Sequence, residues 1–94
     1  MSDEEVFAKV RQAIIRAKSD VVPLAPEEIV LTSVLAEPPI CLDSLEFLAM
    51  VAHLEDLLGL EAADDHFFTR TVRTIPDVIA AVNDWIAEAE AARR

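Results

Sequence analysis

The chain has one cysteine, one glycine, one tryptophan and no tyrosine, and each shortage closes off a class of fold. A single Cys41 cannot form an internal disulfide, so packing must supply the stability, and nothing points to an oxidising compartment. The thiol reads as a small, semi-buried side chain. With one glycine in a chain rich in Ala, Leu and Glu, closely spaced hairpins are disfavoured and helices favoured. No apolar run approaches the roughly 20 residues needed to span a bilayer. The acidic N-terminus lacks the basic start and apolar stretch of a signal peptide, which predicts a cytoplasmic protein without a membrane span.

Positive charge is also scarce. No Lys or Arg occurs between Lys18 and Arg70, a stretch that holds eleven acids, and the formal net charge is -10. Such a surface repels phosphate backbones, which excludes a nucleic-acid partner, and draws basic protein partners. The plainer alternative is that the acids keep a small apolar domain in solution.

What is present is enough for one core. The 94 residues, 53% apolar and 28% charged, predict one domain spanning residues 1–94. Ser2 and Glu5 have capping-box spacing at the start of a first helix, along which Phe7, Val10, Ile14 and Ala17 recur at helical spacing as far as Lys18. Pro23, Pro26, Pro38 and Pro39 then predict a long ordered loop over residues 19–43, pinned to the core by Leu24, Ile29, Val34 and Leu35. A second helix opens at Asp43 and Ser44, either of which can cap, and stops near Gly59 after about fifteen residues. A short helical turn over Asp64 to Thr69 turns Phe67 and Phe68 inward. The last helix has Thr74 as N-cap, Pro76 in its first turn, Asp77 at capping-box distance, and an apolar stripe of Val78, Val82, Trp85, Ile86 and Ala89. Three long helices and one short one can bury their apolar faces only around a shared core, which predicts an all-α four-helix bundle.

The stretch Leu42-Asp43-Ser44-Leu45-Glu46 resembles the Asp-Ser-Leu signature of acyl and peptidyl carrier proteins. The likeness covers essentially the whole chain: a helix, a long Pro-containing loop, Asp-Ser-Leu opening a second helix, the acids Glu55 and Asp56 near its end, a short third helix and a closing fourth. It implies a bundle of the acyl-carrier-protein type in which Ser44 receives 4'-phosphopantetheine from coenzyme A, flanked by Asp43 and Leu45. The thiol of that arm holds acyl groups as thioesters and presents them to partner enzymes. Implied partners are a phosphopantetheinyl transferase and acyl-loading and acyl-processing enzymes with basic docking patches, served by a monomeric carrier that is not itself an enzyme.

The physics of the position agrees. A serine at a helix N-terminus is exposed, and free backbone N–H groups and the helix dipole favour a phosphate there. A serine acting alone as nucleophile needs a base, yet His53 lies nine residues on, about 180° around the helix. The competing structural role for Ser44 is that of a plain N-cap. At about 100° per residue, Phe47, Met50, Val51, Leu54 and Leu58 form the core side of the second helix. Leu45, Leu48, Ala49, Ala52, Glu55 and Asp56 form a second strip, half apolar and half acidic, which with Glu46 resembles the surface by which carriers dock their enzymes; packing of the strip against the long loop is the alternative, for Leu48 above all. His53 reads as a solvated residue, and His66 beside Asp64 and Asp65 lacks the spacing of a metal site.

Two positions depart from the family pattern. Many members carry Gly three residues before the serine, where this chain has Cys41, and carriers of primary fatty acid synthesis commonly have an acid where this chain has Ala49. The expectation is therefore a carrier serving a dedicated lipid or polyketide-type pathway rather than generic fatty acid biosynthesis. The alternatives are a freestanding aminoacyl or peptidyl carrier and an unmodified helical adaptor.

Overall fold

The computed structural model describes residues 1–19, 23–61 and 63–93. Among these the chain is helical, with α1 at Asp3–Lys18, α2 at Ser44–Leu58, α3 at Asp64–Phe67 and α4 at Ile75–Ala92. A single 3-10 turn, Pro26–Glu28, interrupts the long connection between α1 and α2. No helix among the described residues is long and apolar enough to cross a membrane.

Each long helix begins where a side chain can satisfy its first orphan donors. Reciprocal capping boxes join Ser2 to Glu5 at α1, Asp43 to Glu46 at α2 and Thr74 to Asp77 at α4. Helix α2 ends at Gly59, whose φ of 65° is the left-handed conformation that glycine adopts without a Cβ penalty, and whose N–H donates to the Glu55 carbonyl. The capping carboxylate of Asp77 is held below its ordinary value of 3.8, mainly by hydrogen bonds from the Arg73 and then the Thr74 backbone amides, with burial opposing them. A carboxyl whose folded value lies below its unfolded one stabilises the fold above the unfolded value and loses that contribution as pH falls through the folded one. Asp77→Asn is therefore expected to be less stable than the wild type at neutral pH, with the two urea-melt curves converging as the pH falls below 3.8. A constant difference at every pH would remove the charge of Asp77 as the cause.

The buried side chains form one cluster. It takes Val6, Val10, Ala13 and Ile14 from α1, Met50, Val51 and Leu54 from α2, Phe67 from α3, and Ile75, Val78, Ala81, Val82 and Trp85 from α4. Compared with the stripe expected for α1, the helix is rotated toward Val6 and Ala13, while Phe7 and Ala17 are only half-buried. The Phe7 ring stays at the surface beneath the Arg11 guanidinium, 4.4 Å from its centroid, a cation–π placement that leaves one edge wet. Phe47 and Leu58 of α2, and Ile86 and Ala89 of α4, are likewise half-buried at the rim of the core. A chain of edge-to-face aromatic contacts runs from Phe47 to Phe67 (6.4 Å) and from Phe67 to Trp85 (6.1 Å), joining α2, α3 and α4.

The connection from Ser19 to Asp43 is ordered by what it buries. Asp20, Val21 and Val22 lie outside the described residues; beyond them Leu24, Ile29 and Leu35 enter the core as expected, joined by Ile40 and Leu42, and Val34 is half-buried. The segment is fastened to the start of α4 by an isolated bridge between Val34 and Thr74, with Leu35 N–H donating to the Arg73 carbonyl at 2.9 Å and Ile75 N–H to the Ser33 carbonyl at 3.2 Å. Phe68 does not face inward. Helix α3 ends at Phe67, and Phe68, at the C-cap with a φ of -110°, is exposed, its ring centroid 5.9 Å from that of Phe47. Its place inside is taken by His66, whose Nε2 meets the Glu88 carboxylate at 2.9 Å and ties α3 to α4.

Candidate functional site

Asp43, not Ser44, caps α2. Its carboxylate accepts from the Glu46 amide at 2.7 Å, and its own amide donates to Glu46 Oε1 at 3.0 Å. The first intrahelical bond runs from Phe47 N–H to the Asp43 carbonyl at 2.8 Å, so the Ser44 and Leu45 amides lie ahead of the helical ladder without an intrahelical acceptor. Ser44 is exposed at the first helical position, and among the described residues its hydroxyl makes no hydrogen bond. Capping is thereby removed as an explanation of this serine.

Ser44 opens onto a groove of about 540 Å³. One wall is α2, with Phe47 and Leu48; the second is the long connection, with Val34, Leu35 and Ala36; the third is the approach to α4, with Phe68, Val72 and Arg73. The lining is mostly apolar, with Asp43, Ser44 and Arg73 as its polar residues. The groove exists because the bridge to α4 holds residues 34–36 opposite α2. Phe68, Val72 and Arg73 did not emerge as site residues from the sequence, since their role depends on this long-range closure.

The strip along α2 is partly as expected and partly not. Leu45 is 77% exposed and Leu48 50%, so Leu48 is not packed away against the loop. Ala52 and Asp56 are exposed, and Ala49, His53 and Glu55 are half-buried. Glu46 does not belong to this surface. It is buried, and its carboxylate meets Lys18 Nζ at 2.9 Å, because α1 ends directly beneath the first turn of α2. Glu55 has a structural task as well, since its Oε2 accepts the Ala63 amide at 3.4 Å and steadies the turn into α3. Among the described residues, Asp56 has one distant charged neighbour, Arg16, at 3.9 Å.

Cys41 is exposed, not semi-buried, and its φ of 47° lies in the left-handed region that favours glycine. That backbone is what turns the chain from the Pro-rich segment into Asp43. The chain matches no protein-family model, and a search of curated proteins returns no significant match.

Proposed function

We propose that this protein is a carrier of the acyl-carrier-protein type, which accepts 4'-phosphopantetheine on Ser44 and presents the acyl group borne by the arm to partner enzymes. The observation that carries the reading is that Ser44 is exposed at the first position of α2, relieved of capping by Asp43, and opens onto an apolar groove. The residues present suit the arm. A phosphate esterified to Ser44 Oγ would lie beside the Ser44 and Leu45 amides, which have no acceptor among the described residues, at the positive end of the α2 dipole, where negative charge is stabilised. The arm supplies a thiol that binds acyl groups as thioesters. Phe47, Leu48 and Val72 offer apolar surface beside it. Ala49, half-buried and uncharged, fits a carrier for a dedicated lipid or polyketide-type pathway.

Incubation with coenzyme A and a broad-specificity phosphopantetheinyl transferase tests the proposal. Intact mass should rise by one phosphopantetheine; an unchanged mass for folded protein would overturn the carrier reading and leave the adaptor role.

Docking follows from the same surface. Leu45, Leu48 and Phe68 present apolar area around Ser44, and Asp56 adds charge able to steer a basic partner. Asp56 is the cleaner residue to reverse, because Glu55 also holds Ala63. Asp56→Lys should leave the melting temperature nearly unchanged, since exposed ion pairs contribute little, but should slow arm loading at low salt. Wild-type loading should itself slow as salt rises, because a Debye length of about 8 Å at physiological ionic strength screens exposed charges. Equal loading by both proteins at low salt would leave Asp56 a solubility role only.

A further inference from the structure

One ammonium group reaches both sides of Ser44. Lys18, in the last turn of α1, has a side chain only 6% exposed, and its Nζ lies 3.0 Å and 2.9 Å from the two carboxylate oxygens of Glu46 and 3.1 Å from the Cys41 carbonyl. The ammonium is paired with one carboxylate and one backbone carbonyl. Glu46 Oε1 in turn accepts the Asp43 amide at 3.0 Å. A single buried cation is thus bonded three residues before the serine and two residues after it.

The turn it holds is one that needs holding. Cys41 sits in left-handed backbone, which is unfavourable for a residue with a Cβ and persists where its surroundings enforce it. Cys41 N–H donates to the Glu37 carbonyl at 2.9 Å and Leu42 N–H to the Leu35 carbonyl at 2.7 Å, and Lys18 donates to the Cys41 carbonyl. Stability alone does not call for an ion pair at this place, because a buried pair replaced by neutral side chains of similar volume is often no less stable. What a neutral pair lacks is the donor to Cys41.

We infer that Lys18 is a positioning residue for arm attachment: it locks the Cys41–Glu46 turn so that the Ser44 hydroxyl is presented in one orientation. The inference rests on the carrier reading of Ser44. Lys18 lies beneath the surface and acts on the reaction only through the turn, so its effect is on the fraction of molecules with a competent loop, which scales apparent affinity and rate alike.

The test is Lys18→Met combined with Glu46→Gln. The substituted amide oxygen still accepts from Asp43 N–H, so the capping box survives, while the donor to Cys41 is lost. The double variant should fold, with a melting temperature within a few degrees of wild type. Amide exchange at Cys41, Leu42 and Asp43 should quicken by about tenfold, the order expected for loss of a hydrogen bond to a charged group, and loading by the transferase should slow several-fold as the Ser44 hydroxyl spreads over orientations other than the competent one. A folded double variant with wild-type exchange and loading would overturn the inference and leave the pair a packing element. The unmutated protein gives a second check: its Cys41, Leu42 and Asp43 amides should be protected as strongly as those within α2. Exchange there at open-loop rates would overturn the inference whatever the double variant does. If the wild type itself takes no arm, the carrier reading falls and the inference with it; if the wild type loads and the double variant loads equally well, only the inference falls.

Discussion

Ser44→Ala is expected to abolish uptake of the arm while leaving the fold as stable as the wild type. The two halves of this result separate the roles a serine can play at a helix start. A capping serine lost to alanine costs about 0.5–2 kcal/mol, because a backbone donor goes unsatisfied. Here that donor, the Glu46 amide, belongs to Asp43 at 2.7 Å, and Ser44 occupies the next position, where alanine is a good helix former. The change in stability should therefore stay within the roughly 0.5 kcal/mol typical of surface substitutions. Asp43→Ala should show the opposite pattern in the melts, with the loss of a cap. Intact mass after transferase treatment reads the other half, since Ser2, Ser19 and Ser33 remain in Ser44→Ala as possible acceptors. Arm uptake by Ser44→Ala, or a loss of stability comparable to that of Asp43→Ala, would remove Ser44 as an attachment site freed from structural duty.

The choice between Asp43 and Ser44 as cap was legible in the sequence through a signal left unused. A capping box needs an acid or amide three residues after the cap; Asp43 has Glu46 there, whereas Ser44 has Phe47. The same rule placed Ser2 and Thr74 correctly, because each has an acid at that spacing. Glu46 shows where local reading stops. The resemblance placed it with the docking strip, but its burial depends on Lys18, 28 residues away, and no periodicity within α2 carries that information. The groove has the same character, since residues 34–36 and 68–73 become its walls only when the bridge to Thr74 forms. Phe68 was misplaced for a simpler reason. The buried positions of α3 go to His66 and Phe67 and the helix ends there, so Phe68 already stands at the C-cap in non-helical backbone. The amphipathic faces of α2 and α4, by contrast, were readable because their apolar residues repeat over several turns and packing had little freedom to shift them.

The largest loss of stability is expected from Leu54→Ala. Leu54 is fully buried on the face of α2 that meets the rest of the core, next to Met50 and Val51 along the same stripe. Truncation removes the transfer energy of the lost methyls and leaves a cavity that the surrounding helices can close only in part, a combined cost of about 2–5 kcal/mol. Against a total stability of about 5–15 kcal/mol for a domain, this is enough to bring the variant close to unfolding at physiological temperature. Urea melts at low temperature are therefore the suitable measurement. Two neighbours on the same helix supply the scale. Leu58→Ala, at a half-buried rim position, should cost clearly less than Leu54→Ala, and Leu48→Ala, half exposed beside the groove, should change stability by no more than about 0.5 kcal/mol. Leu48→Ala should instead slow loading, because its side chain belongs to the surface around Ser44. The order Leu54, Leu58, Leu48 in stability, with Leu48 alone affecting loading, follows from a single rotational phase of α2 that turns one stripe to the core and the other to the serine's surroundings. Equal costs at the three positions, or a stable Leu54→Ala, would mean that α2 presents a different face to the bundle and that the strip beside Ser44 is not the exposed one.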